Sequence, residues 1–455
     1  MRRAAVLLAL LAGACAGPYP QIPPTAGVVA PPAWRTSIGP AQPVEAGWWR
    51  AFGDPVMNRL VDTALRDNSD VLIAVARINE ARAQFRLARS ALVPSIDAGG
   101  GIERLRDISP FGTSEVQTVE EPQVRLSYEV DLFGRLRSLR SAARASLAAT
   151  TAARDATALG VAGAVASGYI TLRSYDARLA TARATLSARA EALRIAKRRA
   201  DTGYTSKLEL RQAESEYEAT AQLIPQAQLA VTRQEDALNL LLGSSPAAVP
   251  RGATLDGFGY PAVPAGLPSD LLRRRPDIAS AEQRIVSADA SLASARANFL
   301  PRISLAASAG VAFSTLLPDP LTLFSFGTSA LAPIFNGGRI RAQADSATAQ
   351  RDQAAFAYRR TVLTAFREVE DSLAAVQRSG EQAEHVAAQR AALEQALRLA
   401  TNRYRAGYAS YIEQLDAQRQ LLSADLTLIQ ARTDRLTASV SLYQAVGGGW
   451  ASAPD

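Results

Sequence analysis

The stretch ALRIAKRRADTGYTSKLE at Ala192–Glu209 decides the fold, because a similar stretch, ALRLATNRYRAGYASYIE, occurs again at Ala396–Glu413. The two copies are 204 residues apart. Three glycines recur at the same interval: Gly134, Gly203 and Gly243 return as Gly338, Gly407 and Gly447. Two copies are too few for an open solenoid, which needs about three or more units to bury its stacking faces. The duplication therefore predicts one pseudo-symmetric object made of two related halves.

Long helices are predicted between the recurring glycines. In each half, 68 residues without proline, rich in Ala, Leu and Arg, separate the first glycine from the second. An uninterrupted helix of that length would measure about 100 Å at 1.5 Å per residue. Shorter helical patterns flank each long one, with prolines or glycines at their ends: Asp70–Val93 and Ser206–Leu242 in the first half, Asp277–Leu300 and Ser410–Val446 in the second. Each half is thus predicted to pair one long helix along its length with two short ones.

A different pattern lies between the short upstream helix and the long helix of each half. Apolar and polar residues alternate over residues 123–132 and 302–314, which is the period of a strand with one apolar face. Two further strands are expected at Ser95–Arg104 and Leu321–Leu331, the latter with faces that its sequence leaves unassigned. The turn-rich segments Asp107–Glu121 and Leu316–Pro320 would join the four strands into two hairpins. Such strands suit an outer-membrane barrel, and a sheet with one wet face is the alternative.

Four strands cannot close a barrel by themselves. In hydrocarbon, open edges leave backbone groups unpaired at a cost of several kcal/mol each. Copies of the chain must therefore share one barrel if the hairpins cross a membrane. Two copies would give eight strands, which their own side chains fill, and three would give twelve, which leave room for a passage.

The N-terminus has the pattern of a targeting segment. Arg2 and Arg3 precede the apolar stretch Ala4–Ala14, which is too short to span a bilayer. The run LAGAC that ends at Cys15 resembles a bacterial lipoprotein signal, although Ala12 stands where leucine is commonest, and an ordinary secretory peptide is the alternative. Cys15 has no other cysteine to pair with, which favours its lipidation. The non-acidic residue after it, Ala16, implies sorting to the outer membrane.

Composition argues against two other classes of function. The net charge of +7 is spread over 455 residues, and no run of five or six basic residues supports nucleic-acid binding. The single histidine, His385, stands in a charged helical stretch, and no metal-spaced cluster, nucleophile elbow or phosphate loop occurs. We therefore expect no enzyme activity, no metal, and no cofactor apart from the covalent lipid on Cys15.

Several longer motifs resemble one family. EAGWWRAFGDPVMNRLVDTALRDNSDVLIAVARINEARA (Glu45–Ala83), YEVDLFGRLR (Tyr128–Arg137), LLRRRPDIASAEQ (Leu271–Gln283) and APIFNGGRIRA (Ala332–Ala342) are similar to the TolC-like outer-membrane efflux lipoproteins of the NodT-type branch. The resemblance covers essentially the whole mature chain. It implies an α+β fold, with a duplicated helix–hairpin–helix unit, in a homotrimer. Three copies would form a 12-stranded outer-membrane β-barrel, continued by a long α-helical periplasmic barrel with a mixed equatorial belt.

The resemblance also implies a gate at the helix turns. Matched position by position, Tyr404 falls on the family's bridging tyrosine, Glu209 on its bridging acid, and Glu413 and Asp416 on an acidic constriction. Ala409 stands where some relatives have arginine, so that bridge is either absent or supplied by Arg405 or Arg419. Ile412, one helical turn before Asp416, would provide an apolar plug. The tips Gly203, Tyr204, Gly407 and Tyr408 would dock a periplasmic adaptor. The alternative is that Glu209, Glu413 and Asp416 are ordinary solvated charges on helices.

These expectations combine into one organisation. The chain divides into a signal peptide (1–14), an extended segment with a first belt helix (15–67), a first repeat (68–243) with a hairpin at about 95–132, a proline-rich linker (244–276), a second repeat (277–447) with a hairpin at about 302–333, and a tail (448–455). The function would be a passive efflux duct in the outer membrane, for drugs, toxic compounds or metal ions, served by an adaptor and a resistance-nodulation-division pump. An exit duct for type I protein secretion and a coiled-coil surface lipoprotein without a pore are the alternatives.

Overall fold

The computed structural model describes residues 18–36, 44–108, 112, 114–262 and 268–450. The signal peptide, Cys15 and the last five residues lie outside these ranges. The chain forms two compact units. Unit 1 comprises the chain up to Gly27 with Arg77–Thr151 and Ser280–Arg360, and unit 2 comprises Val28–Ala76, Ala152–Ala279 and Thr361 to the C-terminus.

Nine α-helices are present in the described ranges. They are α1 (Pro55–Asp67), α2 (Ser69–Ser90), α3 (Arg135–Asp201), α4 (Lys207–Ala221), α5 (Leu223–Leu241), α6 (Pro268–Arg274), α7 (Pro276–Ala297), α8 (Arg339–Arg405) and α9 (Tyr411–Ala445). The two long helices, α3 and α8, have 67 residues each and lie between the predicted glycines. The two upstream helices, α2 and α7, have 22 residues each.

The return helix of the first half departs from the prediction. A single helix over Ser206–Leu242 was expected, but the structure has α4 and α5, separated at Gln222. Pro225 lies at the third residue of α5, where its ring removes a backbone donor and clashes with the preceding turn. The second half has no proline in this position, and α9 is continuous.

Unit 1 contains an antiparallel sheet of six strands: β1 (Ser95–Gly99), β2 (Ile102–Ile108), β3 (Ser114–Glu120), β4 (Gln123–Val130), β5 (Arg302–Ser314) and β6 (Leu321–Leu331). β1 pairs with β4, and β2 pairs with β3. β1 and β2 therefore form one strand line with a single interruption, and β3 and β4 form a second strand line with a single interruption. β5 pairs with β4, β3 and β6. The sheet is therefore a meander of four strand lines, with β1 and β2 along one edge and β6 along the other.

Two details of the strand prediction were wrong. The segment Asp107–Glu121 was assigned to a turn, but it contains the end of β2 and all of β3. The first strand line breaks near Gly100, opposite Pro122 on the second line, because proline donates no ladder hydrogen bond and glycine favours irregular backbone. The two expected hairpins also pair with each other through β4 and β5.

The register assigns the faces of β6, which its sequence did not. Phe324 and Phe326 are opposite Ala309 and Ala307 of β5. Cross-strand partners share a face, so β6 adds its two phenylalanines to one apolar surface. That surface also carries Ile96, Ala98, Val124, Leu126, Tyr128, Val130, Ile303 and Leu305. The opposite surface is mostly polar, as the alternation in the sequence predicted.

The core of unit 2 gathers around the middle of α3. Trp48 is 3% exposed and stacks on Tyr443, with ring centroids 5.5 Å apart. Tyr169, Leu238 and Leu436 are fully buried in the same cluster. The uncharged stretch Ala156–Leu172 lies within α3, and Val165, Ala166 and Ile170 of this stretch are fully buried. In the described ranges, no helix combines the length and apolarity required to cross a bilayer.

The repeat is also visible in how the return helices end. Asn68 Nδ2 donates to the carbonyl of Leu241 at 2.8 Å, and Arg275 Nη1 donates to the carbonyl of Ala445 at 3.0 Å. Both donors stand at the entrance of a 22-residue helix and satisfy a carbonyl at the end of a return helix. The two halves therefore use one packing scheme with different side chains.

Candidate functional site

The two helix turns of unit 2 have the same backbone. Tyr204 N donates to Arg199 O at 2.8 Å, and Tyr408 N donates to Arg403 O at 2.9 Å. Gly203 and Gly407 have φ of 72° and 80°. Each long helix therefore ends in a glycine turn that satisfies its last carbonyls.

A chain of polar contacts joins the two turns. Tyr404 Oη, on α8, donates to Glu209 Oε1, on α4. Arg199 Nη1, on α3, donates to Tyr404 Oη at 2.9 Å. Thr205 Oγ1 donates to the other oxygen of Glu209. The structure thus brings together Glu209 and Tyr404, as predicted, and adds Arg199, which the sequence analysis did not identify.

The environment of Tyr404 favours its neutral phenol. Burial and the hydrogen bond to the Glu209 carboxylate raise the pKa of Tyr404 to about 12, although Arg199 opposes the shift. The guanidinium of Arg199 lies 5.1 Å from the centroid of the Tyr404 ring. The centroid of the Tyr411 ring lies 5.8 Å from the centroid of the Tyr404 ring. Tyr404 is therefore fixed by its hydroxyl group and by its ring.

A second group of charges connects the same helices at Glu216 of α4. Arg189, on α3, donates to the Glu216 carboxylate and, at 2.8 Å, to its backbone carbonyl. Arg419, on α9, donates through Nε to Glu216 Oε1 at 2.8 Å. The side chains of Arg189 and Glu216 are 5% and 7% exposed, and that of Arg419 is 57% exposed. Burial would raise the pKa of Glu216, but the two arginines outweigh it and hold the pKa below its usual value. We call Arg189, Glu216 and Arg419 the Glu216 cluster.

The other predicted gate residues are on the surface of the chain. Ile412 is 57% exposed, and Asp416 accepts a hydrogen bond from Gln420 Nε2 at 2.6 Å. Glu413 lies 3.5 Å from Arg403 in an exposed ion pair, which contributes little to stability. Arg405 is exposed, and the bridging arginines that the structure shows are Arg199 and Arg419. At the tips, Tyr204 and Tyr408 are 78% and 81% exposed.

A signal for the Glu216 cluster was present in the sequence of α4. Ala213, Glu216 and Thr220 recur at spacings of three and four, which is the period of a buried helix stripe, and all three are buried. A carboxylate on such a stripe requires a cationic partner. The tips are otherwise closed by a small apolar cluster of Ala196, Ala213, Tyr411 and Leu415.

The described ranges contain no group of three or more His, Cys, Asp or Glu side chains arranged for a metal ion. Cys15 lies outside them.

Comparison with known proteins identifies the family. The family model "Outer membrane efflux protein" matches residues 60–244 and 267–448. The solvent efflux pump outer membrane protein SrpC of Pseudomonas putida is 38% identical over 416 residues, covering 88% of this chain and 86% of SrpC. The pyoverdine export outer membrane protein OpmQ of P. putida is 32% identical over 451 residues, covering 96% and 95%.

A solved structure supports the same assignment. The open state of the Neisseria gonorrhoeae MtrE outer membrane channel superposes with a TM-score of 0.84 at 30% identity, covering 95% of this chain and 97% of MtrE. Both halves of the sequence, the meander of strands and the two long helices are thus accounted for by one known architecture. This chain belongs to the outer membrane efflux protein family and is an outer-membrane efflux channel protein.

Proposed function

We propose that three copies of this chain form the outer-membrane duct of a tripartite efflux pump. The duct conducts small molecules passively from a periplasmic adaptor and a resistance-nodulation-division pump in the inner membrane. The contacts of Tyr404 with Glu209 and Arg199 carry this proposal, because they join the two helix turns at the end of the chain's long helices. A seal that can be broken is what a gated duct requires at its entrance.

The sheet supports assembly as a trimer. One of its faces is apolar, and two of its edges, β1 with β2 and β6, lack a neighbouring strand within the described chain. Phe324 and Phe326 are 85% and 75% exposed. Lipid would cover the apolar face, and the β6 edge of one copy would pair with the first edge of the next. Three copies of four strand lines give 12 strands, enough to enclose a passage.

The exposed residues at the turns have separate roles in this proposal. Glu413 and Asp416 repeat three times around the axis, where like charges repel and attract cations. Ile412 narrows the same opening. The tips at Gly203, Tyr204, Gly407 and Tyr408 are left for the adaptor. Cys15 carries the lipid that anchors the N-terminus to the outer membrane.

Tyr404→Phe and Asp416→Ala are each expected to increase channel opening in planar bilayers. Tyr404→Phe removes a hydrogen bond to a charged group, worth about 1.5–3 kcal/mol, which shifts a closed-to-open equilibrium on the order of tenfold to a hundredfold. Asp416→Ala removes a polar ring from the constriction. Single-channel recording of the purified trimer measures both, with Tyr217→Phe on α4 as the matched control. Unchanged conductance in both variants would exclude these residues from the gate.

The seal is expected to respond to alkaline pH through Tyr404. Its pKa is raised to about 12 in the folded chain, so the contact contributes fully below pH 10, the ordinary pKa of tyrosine. The contribution is lost as pH rises through 12, because an ionised phenol cannot donate to Glu209. Conductance should therefore be constant from pH 7 to 10 and rise between 10 and 12. The same titration of Tyr404→Phe should lack this rise; an identical rise in the variant would point to another group.

A further inference from the structure

The N-terminal segment Pro18–Gly27 is held on α8 by its main-chain carbonyls. The side chain of Arg351 is 1% exposed, and it donates to Pro20 O at 2.6 Å through Nη1 and to Gln21 O at 2.8 Å through Nη2. Arg359 Nη1 donates to Gly27 O at 3.0 Å and also to Thr25 O. A fully buried arginine is costly unless all its donors are used. We call Arg351 and Arg359 the carbonyl clamp.

The clamp also sets the direction of the segment. Arg359 follows Arg351 by eight residues, or about 12 Å along α8. It holds the later carbonyls of the segment, so the segment and α8 run the same way. Since α8 begins at Arg339, shortly after β6 ends, Pro18 and Tyr19 lie on the side of Pro20 that is nearer the strands.

A second contact places Tyr19 consistently with this direction. Tyr19 Oη donates to Asp289 Oδ1 at 3.0 Å, and the guanidinium of Arg296 lies 5.3 Å from the Tyr19 ring centroid. Both partners are on α7, which ends at Ala297 just before β5. Asp289 is eight residues from that end, a distance of about 12 Å.

The distances limit where Cys15 can reach. Cys15 is five residue steps from Pro20, and a fully extended chain spans at most about 3.6 Å per step, or roughly 18 Å. Arg351 lies twelve residues after Arg339, which is also about 18 Å of helix. A clamped tether is therefore just long enough for Cys15 to reach the level where α8 begins, eight residues after the end of β6, with almost no slack.

We infer that the carbonyl clamp fixes the length of the lipid tether, so that the acyl chains on Cys15 and the strands of the same copy enter one membrane leaflet together. This inference rests on the lipidation of Cys15 in the proposed function. Because the clamp binds carbonyls, it acts on the position of the segment rather than on its side chains.

Tether length is the quantity to test. Deleting Gly17 and Pro18 retains Cys15 and Ala16 but leaves three residue steps to Pro20, at most about 11 Å. We expect the amount of SDS-resistant trimer in outer-membrane fractions to fall severalfold, with palmitate labelling of Cys15 unchanged. Inserting Gly-Ser after Gly17 lengthens the tether and is expected to have no effect.

Releasing the clamp should rescue the short tether. Arg351→Met in the deletion background releases the carbonyls of Pro20 and Gln21, and Tyr19→Ala removes the contacts with Asp289 and Arg296. With both substitutions the trimer is expected to recover to near the wild-type amount. Arg359→Met, which leaves Pro20 held, and Arg360→Met, an exposed neighbour, should give no recovery. Arg351→Met alone should accelerate amide exchange of residues 19–27 about tenfold. Normal assembly of the deletion, or no rescue by Arg351→Met combined with Tyr19→Ala, would overturn the inference. If the wild-type chain takes up no palmitate, Cys15 carries no lipid anchor and this inference is wrong. The channel proposal is tested separately, by conductance in planar bilayers.

Discussion

Gly447→Ala is expected to destabilise the folded chain by about 2–5 kcal/mol. Gly447 has φ of 95°, and a Cβ atom there would lie 1.9 Å from the carbonyl oxygen of Arg274. Alanine in the left-handed region costs about 1–2 kcal/mol, and overpacking against a backbone that must shift adds about 1–3 kcal/mol. The midpoint of thermal unfolding, followed by circular dichroism, should fall, together with the yield of assembled protein.

Gly407→Ala is the matched control for that substitution. Gly407 has φ of 80°, but in the described part of the chain no atom beyond its two sequence neighbours lies within 4 Å of the position that its Cβ would occupy. It therefore isolates the cost of the backbone conformation, about 1–2 kcal/mol. Gly243→Ala, at the equivalent position of the first half, would place Cβ 2.4 Å from Asp67 O and should resemble Gly447→Ala. Equal effects at positions 407 and 447 would show that the close contact contributes nothing.

The sequence predicted the elements whose signals are local. The recurring glycines marked the ends of α3 and α8 to within one residue, because a glycine turn is encoded in a few neighbouring residues. Strand alternation identified β4 and β5 for the same reason. The faces of β6 could be assigned only from its pairing with β5. Phe324 and Phe326 lie opposite Ala309 and Ala307 of β5, and this register places both on the apolar face.

The site was less predictable because its contacts are distant in sequence. Tyr404 and Glu209 came from resemblance to the family. Arg199 is separated from Tyr404 by 205 residues, and only the pairing of the two turns brings it there. The sequence predicted Arg419 as a candidate bridging residue of the gate, but it did not identify Glu216, the residue that Arg419 contacts. The gate roles of Arg405, Ile412, Glu413 and Asp416 stay predictions.

The Glu216 cluster contains two contacts that substitutions can separate. Arg189 and Glu216 belong to the α3–α4 pair of helices, whereas Arg419 belongs to α9. The contact between Arg189 and Glu216 is buried, whereas the Arg419 side chain that also contacts Glu216 is largely exposed. The Arg189 contact therefore stabilises one helix pair, and the Arg419 contact links that pair to the second. The proposed gate opens only if the second kind of contact breaks.

Arg419→Gln is expected to open the channel with little loss of stability. Glu216 keeps Arg189 as its partner, and losing a largely exposed arginine contact costs about 0–1 kcal/mol of folding free energy. Glu216→Leu is expected both to open the channel and to destabilise the fold, because it leaves Arg189 buried without a carboxylate at a cost of about 3–5 kcal/mol. Thermal unfolding and single-channel recording of the same preparations measure the two effects.

The double variant Arg189→Met, Glu216→Leu separates them. Replacing a buried ion pair with apolar side chains of similar volume is often neutral for stability, so the unfolding midpoint should return toward that of the wild type. Arg419 would still have no partner across the two helix pairs, so channel opening should stay high. If the double variant closed like the wild type, the link through Glu216 would not belong to the gate, and the contacts of Tyr404 would have to hold the entrance shut alone.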